Sequence, residues 1–206
     1  MIKKIGLCLL AMLLPMSLQA ADFKEGVHYF KLPQAVRTAD PEKVEVVELF
    51  GYTCPHCNNF EPMIAHWHKT QPEGVNFVRL PVVFNRSWEP YARAYYASEL
   101  MKTLDKTHQA TFDAIHIQRQ RLNNEKAISD FYTDLGVDTA AFGKMFNSFA
   151  VNMKLKQGES KVRGYAITGV PSMVVNGKYR VTVESAGGQK EMLDVVNYLV
   201  EQESQP

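Results

Sequence analysis

The chain has 206 residues, 46% of them hydrophobic, with 23 basic and 22 acidic side chains and a formal net charge of +1. That length suits one large domain or a domain carrying an insertion. A balance this even, with no basic stripe, no repeats and no low-complexity linker, argues against a nucleic-acid partner.

In chain order, the first segment opens with Lys3 and Lys4, runs apolar from Ile5 to Leu14 and ends in Gln19-Ala20-Ala21. That is the layout of a secretory signal peptide, residues 1–20, cleaved after Ala20. Its apolar stretch of roughly a dozen residues is short of the roughly 20 that cross a bilayer as a helix. Removing it takes Cys8 away and leaves Cys54 and Cys57, two of the three cysteines, in a compartment where disulfides persist.

Val44 to Phe50 is a short β-branched and apolar run, of the kind expected for a strand buried on both faces. The turn Gly51-Tyr52-Thr53 follows, then a helix from Cys54 to about Thr70, with Thr53 as its cap, Pro55 tolerated in the first turn and Pro62 expected to kink it. After Gln71-Pro72-Glu73-Gly74, residues Val75 to Phe84 read as a second strand, completing a βαβ unit. From Ser87 to about Lys161 the pattern is helical only. Ile128, Phe131, Tyr132 and Leu135 form one stripe stopped by Gly136. Phe142, Met145, Phe146 and Phe149 form another after an Asp138-Thr139 cap. Ser172 to Val175 and Tyr179 to Val183 read as strands joined by an Asn176-Gly177 hairpin turn, and Gln189 to about Glu201 as a last helix buried through Met192, Val195, Val196 and Leu199. The order βαβ, helical block, ββα predicts an α/β fold whose core is interrupted by an inserted helical domain. The divisions are residues 21–86 and 162–206 for the core and 87–161 for the insertion.

Cys54-Pro55-His56-Cys57 is the motif that asks for chemistry. As a staple it closes too small a loop to remove much entropy from the unfolded chain. As a metal half-site it lacks a second Cys-x-x-Cys or His-x-x-x-His, and a helix scatters His56, His66 and His68 over different faces. A redox centre fits best. A thiolate is the attacking species, and a helix N-terminus favours negative charge at Cys54, to which His56 adds when protonated or donating. Cys57, one turn on, faces the same side as a resolving thiol. Thiolate stabilisation favours the reduced pair, so the disulfide form would draw electrons from other thiols.

Glu48 stands out inside its apolar strand, because a buried carboxylate must be paired or neutral. Arg79, in the adjacent run, is the candidate partner.

Glu48-Leu49-Phe50, Cys54-Pro55-His56-Cys57, Gly169-Val170-Pro171-Ser172 and Val175-Asn176-Gly177-Lys178-Tyr179 together resemble the DsbA family of periplasmic thiol:disulfide interchange proteins, over nearly the whole chain after the leader. The resemblance implies a thioredoxin-like core and a periplasmic oxidase that donates the Cys54–Cys57 disulfide to reduced exported proteins through a mixed disulfide. It implies reoxidation by a quinone-linked membrane protein of the DsbB type, a monomer, and no metal or organic cofactor. A strongly acidic first cysteine comes with the resemblance, not from the spacing. So does a cis peptide bond before Pro171, in a loop beside the cysteines where the Val170 backbone would pair with an extended substrate. The family's acid at the Glu48 position is associated with proton movement at the buried cysteine, and arginine at 79 does not readily pass a proton on. An isomerase or reductase would commonly add a dimerisation domain, for which no segment is left over. A peptide-binding holdase with inert cysteines is the reading from another class.

Overall fold

Val44–Phe50 is β2 and lies inside the sheet, every one of its seven residues buried. The structure, a computed structural model, describes residues 23–205. The leader reading of residues 1–20, with Cys8, lies outside them. Among the described residues five strands form one sheet in the order β1-β5-β4-β2-β3, with β1 at Phe30–Lys31, β3 at Val75–Pro81, β4 at Ser172–Val175 and β5 at Tyr179–Thr182. Strand β2 pairs parallel with β3, Val44 opposite Val75 through Phe50 opposite Pro81, and antiparallel with β4, Val46 opposite Val175 through Leu49 opposite Ser172. A strand flanked on both edges and covered on both faces has no solvated side, which is why its sequence is a continuous apolar run and not an alternation.

Helix α1, Pro55–Lys69, follows β2 directly and includes the exposed Pro62 without ending there. Its face carrying Phe60, Ile64 and Trp67 packs with Met173, Val175 and Val181 of the sheet and with α8, Gln189–Glu203, whose Met192, Val195, Val196 and Leu199 are all buried. On the other side of the sheet Val47, Leu49 and Val174 meet Leu32, Tyr165 and Ile167.

Between β3 and β4 come α2 (Glu89–Leu100), α3 (Leu104–His116), α4 (Glu125–Asp134), α5 (Thr139–Phe146) and α6 (Phe149–Gly164). Three starts are set by side-chain caps: Asn124 accepts from the Ala127 N–H at 3.0 Å, Asp138 from Ala141 at 2.6 Å and Ser148 from Val151 at 3.2 Å. Their apolar faces enclose Tyr95, Phe112, Ile128, Tyr132 and Phe142, and this cluster continues into Phe50, Tyr52 and Cys57 of the core. The two packing units therefore meet at the cysteine motif.

Three expectations need correction. The strand after Gly74 stops at Pro81, not Phe84, because its partner β2 ends at Phe50; a last bond from the Val82 N–H to the Phe50 carbonyl, 2.8 Å, closes the ladder. The later strand stops at Thr182, since Thr182 and Ser185 cap each other and turn Val183–Ala186 into α7. Phe149 does not belong to the Phe142 stripe: Ser148 starts a new helix there, and the Phe149 side chain is 79% exposed. Strand β1, only two residues long, gave no periodicity to read.

Candidate active site

The strand-to-helix turn places the cysteines. Pro55 occupies the first helical position, so the cap falls on Cys54, in an extended conformation, and not on Thr53 as the sequence suggested. The Cys54 N–H bonds the Gly51 carbonyl at 3.0 Å, and the Cys54 carbonyl accepts the first intrahelical bond, from Asn58 at 3.1 Å. Cys54 is half-buried, while Cys57, one turn in, is fully buried; both are free thiols. The Cys54 thiol makes no cap hydrogen bond and donates instead to the Val170 carbonyl at 3.4 Å. The Val170–Pro171 bond is cis. Ser172, donating to the Gly169 carbonyl at 2.8 Å, ties the same loop down. Thus Cys54, His56, Val170 and Pro171, far apart in sequence, come to one mouth. There a cleft of about 390 Å³ is lined by His56, Gly169, Val170, Pro171, Val183 and Glu184 among others. Gln189, at the start of α8, donates to the His56 carbonyl at 2.7 Å and fixes that rim.

This geometry divides the two sulfurs. A hydrogen bond from the Cys57 thiol is the largest cause that lowers Cys54 from 9.0 to about 6. The backbone N–H groups of Cys57 and His56 and the charge of the His56 ring add to it, against the opposing effect of burial. The same bond, followed by burial and the Cys54 and Glu48 charges, pushes Cys57 far up. One sulfur is held ready to be an anion and the other to keep its proton.

Glu48 is 1% exposed, and Arg79, opposite it in the β2–β3 register, donates from Nε at 3.0 Å. The expected partner is therefore the observed one. Sequence reasoning missed the rest. Arg79 Nη2 also donates to Glu61 of α1 at 2.7 Å. Glu61 Oε2 lies 3.2 Å from His108 Nε2, and His108 Nδ1 lies 2.8 Å from the Tyr52 hydroxyl. A second histidine of α3, His116, reaches the Tyr52 carbonyl at 2.7 Å. Burial raises Glu48 and Glu61 above the usual carboxylate range, with Arg79 opposing it in both. Burial lowers His108 to about 3, so its ring is neutral at working pH. The signal for Glu61 was available, since it shares the inward face of α1 with Cys57 and Ile64, a charge in an apolar stripe like Glu48. Glu45, also in β2 and fully buried, was missed too; it accepts from Lys161 Nζ at 3.1 Å and from the Ala39 N–H at 3.0 Å. Among the described residues no group of three or more His, Cys, Asp or Glu is placed to hold a metal ion.

Comparison with known proteins bears on the same residues. A family model described as a DSBA-like thioredoxin domain matches residues 71–197, beginning downstream of both cysteines. Whole-chain relatives extend the likeness upstream. The thiol:disulfide interchange protein DsbA of Pseudomonas aeruginosa is 41% identical over 194 residues, 94% of this chain and 92% of the relative. The chain belongs to the DsbA family. The DsbA of Azotobacter vinelandii is 43% identical over 187 residues, 91% of this chain and 87% of that one. The crystal structure of Pseudomonas aeruginosa DsbA superposes with a TM-score of 0.86 at 41% identity, covering 89% of this chain and 96% of the other. The α/β architecture, a thioredoxin-like core with helices inserted, is the DsbA fold expected from the sequence.

Proposed function

We propose that this protein is a periplasmic disulfide oxidase that transfers a Cys54–Cys57 disulfide to reduced, newly exported polypeptides. A client thiolate attacks Cys54 Sγ, the Cys54–Cys57 bond breaks, and the electron pair leaves on Cys57, which takes up a proton. A second client thiolate then attacks the client sulfur of the mixed disulfide, and Cys54 departs as a thiolate. Two electrons and one sulfur–sulfur bond have changed hands, with no metal or organic cofactor involved. Pro55 presets the helix start, His56 stabilises the departing Cys54 thiolate, and the Val170 backbone beside Pro171 pairs with the extended client. Glu48 serves the proton needs of Cys57. Reoxidation falls to a quinone-linked membrane protein of the DsbB type, and the enzyme works as a monomer built from core segments 21–86 and 162–206 around an insertion at 87–161.

The observation that carries this reading is the asymmetry of the pair, Cys54 half-buried against the Val170 carbonyl and Cys57 fully buried behind it. Only the first sulfur is open to a client, and only the second is shielded as an internal leaving group. The test is oxidation of a reduced two-cysteine peptide by the disulfide form, with Cys54→Ser alongside. Stoichiometric peptide oxidation, lost in the variant, supports the reading. A Cys54→Ser protein that still protects unfolded clients, with a wild type that oxidises none, would leave a holdase. Equilibration against glutathione separates oxidase from reductase, since a pair that stays oxidised in mildly reducing buffer is a poor disulfide donor.

A further inference from the structure

Two buried carboxylates share one guanidinium. Glu48 and Glu61 are both buried, and each takes one hydrogen bond from Arg79. A second buried negative charge without its own cation is unfavourable, so at rest the pair holds one proton between them. Which oxygen carries it decides what Cys57 meets, because Glu48 is the carboxylate whose charge acts on the Cys57 thiol.

His108 breaks the tie. The Tyr52 phenol, which keeps its proton under full burial, lies 2.8 Å from the His108 Nδ1 and is the donor to it in one of the two neutral tautomers of the ring. An accepting Nδ1 on a neutral ring leaves the hydrogen on Nε2, which points at Glu61 Oε2 3.2 Å away. Glu61 thereby receives two donors, Arg79 and His108, against one for Glu48, and donors to a carboxylate favour its ionised form. Packing holds the ring in place, with Nδ1 toward Tyr52 and Nε2 toward Glu61. Phe50, Tyr52, Tyr95 and Phe112 pack around it with centroids 5.2 to 5.8 Å away. The titratable or charged groups facing this ring are Tyr52 of the turn, Tyr95 of α2, Glu61 of α1, Arg79 of β3 and Glu48 of β2, whose charge acts on the ring directly.

We propose that His108, fixed in one tautomer by Tyr52, is a positioning residue that keeps Glu61 ionised on Arg79 and leaves the shared proton on Glu48, where the Cys57 sulfur takes it. Given the exchange roles proposed for Cys54 and Cys57, on which this assignment rests, the step balances. The Cys54–Cys57 bond breaks as the client–Cys54 bond forms, Cys57 leaves with the electron pair, and the Glu48 carboxyl gives it a proton and becomes a carboxylate. The inserted helices thus do more than cover the core, because α3 sets the protonation order of residues in β2 and α1.

The test is a carboxyl-carbon NMR titration of the full mature protein labelled at glutamate, on the wild type, Tyr52→Phe, His108→Leu and His108→Gln. In the wild type Glu61 is expected to ionise first and Glu48 last. Tyr52→Phe frees the tautomer and His108→Leu removes the donor, so in both the Glu48 midpoint should fall by about one unit, the size of one hydrogen bond to a charged group. His108→Gln, whose amide donates to Glu61 while its carbonyl accepts from Tyr52, should restore the wild-type order. The alkaline decline in the single-turnover rate with a reduced cysteine peptide should move with the Glu48 midpoint. An unchanged Glu48 midpoint in Tyr52→Phe, or a wild type in which Glu61 ionises last, overturns the assignment. Tyr52→Phe loses one oxygen and no packing volume, so it carries the test if His108→Leu does not fold. Failure of the exchange roles is read separately: a Cys54→Ser protein that still oxidised the peptide would remove those roles without touching the wild-type carboxyl midpoints.

Discussion

Titrating the reduced protein from pH 4 to 9 should reveal one thiol far out of its usual range. With Cys54 lowered from 9.0 to about 6, pH 7 holds about ten thiolates for every thiol, where an unperturbed group would hold about one in a hundred. Alkylation by iodoacetamide should therefore follow a curve with its midpoint near pH 6 and already be close to its plateau at neutrality. Cys57, pushed far up and fully buried, should contribute nothing to it. The stability consequence has a definite sign. A group whose folded pKa lies below its unfolded one stabilises the fold in full above the unfolded value, and loses that contribution as the pH falls through the folded one. For the reduced form the contribution is complete above pH 9 and gone below about pH 6. Each pH unit between would be about 1.4 kcal/mol if undamped. Solvent reaches the half-exposed sulfur and screens the groups around it, so about 1–2 kcal/mol in all is expected. Urea unfolding of reduced and oxidised protein at pH 5 and pH 9 measures it, because the reduced-minus-oxidised difference cancels groups that titrate alike in both. An alkylation midpoint at pH 8 or above, or a difference that does not grow with pH, would refute the account of Cys54 as an anion held first by the Cys57 thiol and then by the N–H groups of the helix start.

Two further expectations concern the scaffold. Gly177→Ala should cost about 2–4 kcal/mol in a urea melt, because its φ is +62° and an added Cβ would lie 1.9 Å from the Val36 backbone oxygen. A loss under about 0.5 kcal/mol would mean that the turn relaxes freely. Arg79→Met leaves Glu48 and Glu61 buried without their shared cation and should destabilise the protein by about 3–5 kcal/mol at pH 8. Burial already raises both carboxyls, so the neutral forms suit the fold and stability should fall as the pH rises. The loss in Arg79→Met should be smaller at pH 5, and a loss independent of pH would argue against buried charge as its cause.

What could be read from the sequence was whatever a local pattern encodes. The run Val44–Phe50, the Asn176-Gly177 turn, whose two residues both take positive φ, and the Met192 stripe of α8 each depend on neighbours in the chain. Glu48 announced itself for the same reason, as a charge where its surroundings are apolar. Arg79 could be named as its partner from the adjacent run, but the network beyond that pair could not, because Tyr52, Glu61 and His108 come from a turn and two helices and meet only after folding. Phe149 was misread because its spacing continues the Phe142 stripe, whereas the Ser148 cap restarts the helix and turns the ring outward. The end of β3 was set by the length of its partner, which no pattern within Val75–Phe84 contains.

The register of β4 against β2 has a bearing on synthesis. Leu49 pairs with Ser172 and Val46 with Val175, so the strand that carries Val170 to the cysteines leaves the ribosome more than a hundred residues after them. The intervening helices close over short spans and can form while the chain is still emerging, but the β2–β4 pairing requires a long loop to close and is intrinsically slow. Until that pairing forms both thiols lack the Val170 wall, and the pair acquires its final surroundings among the last events of folding.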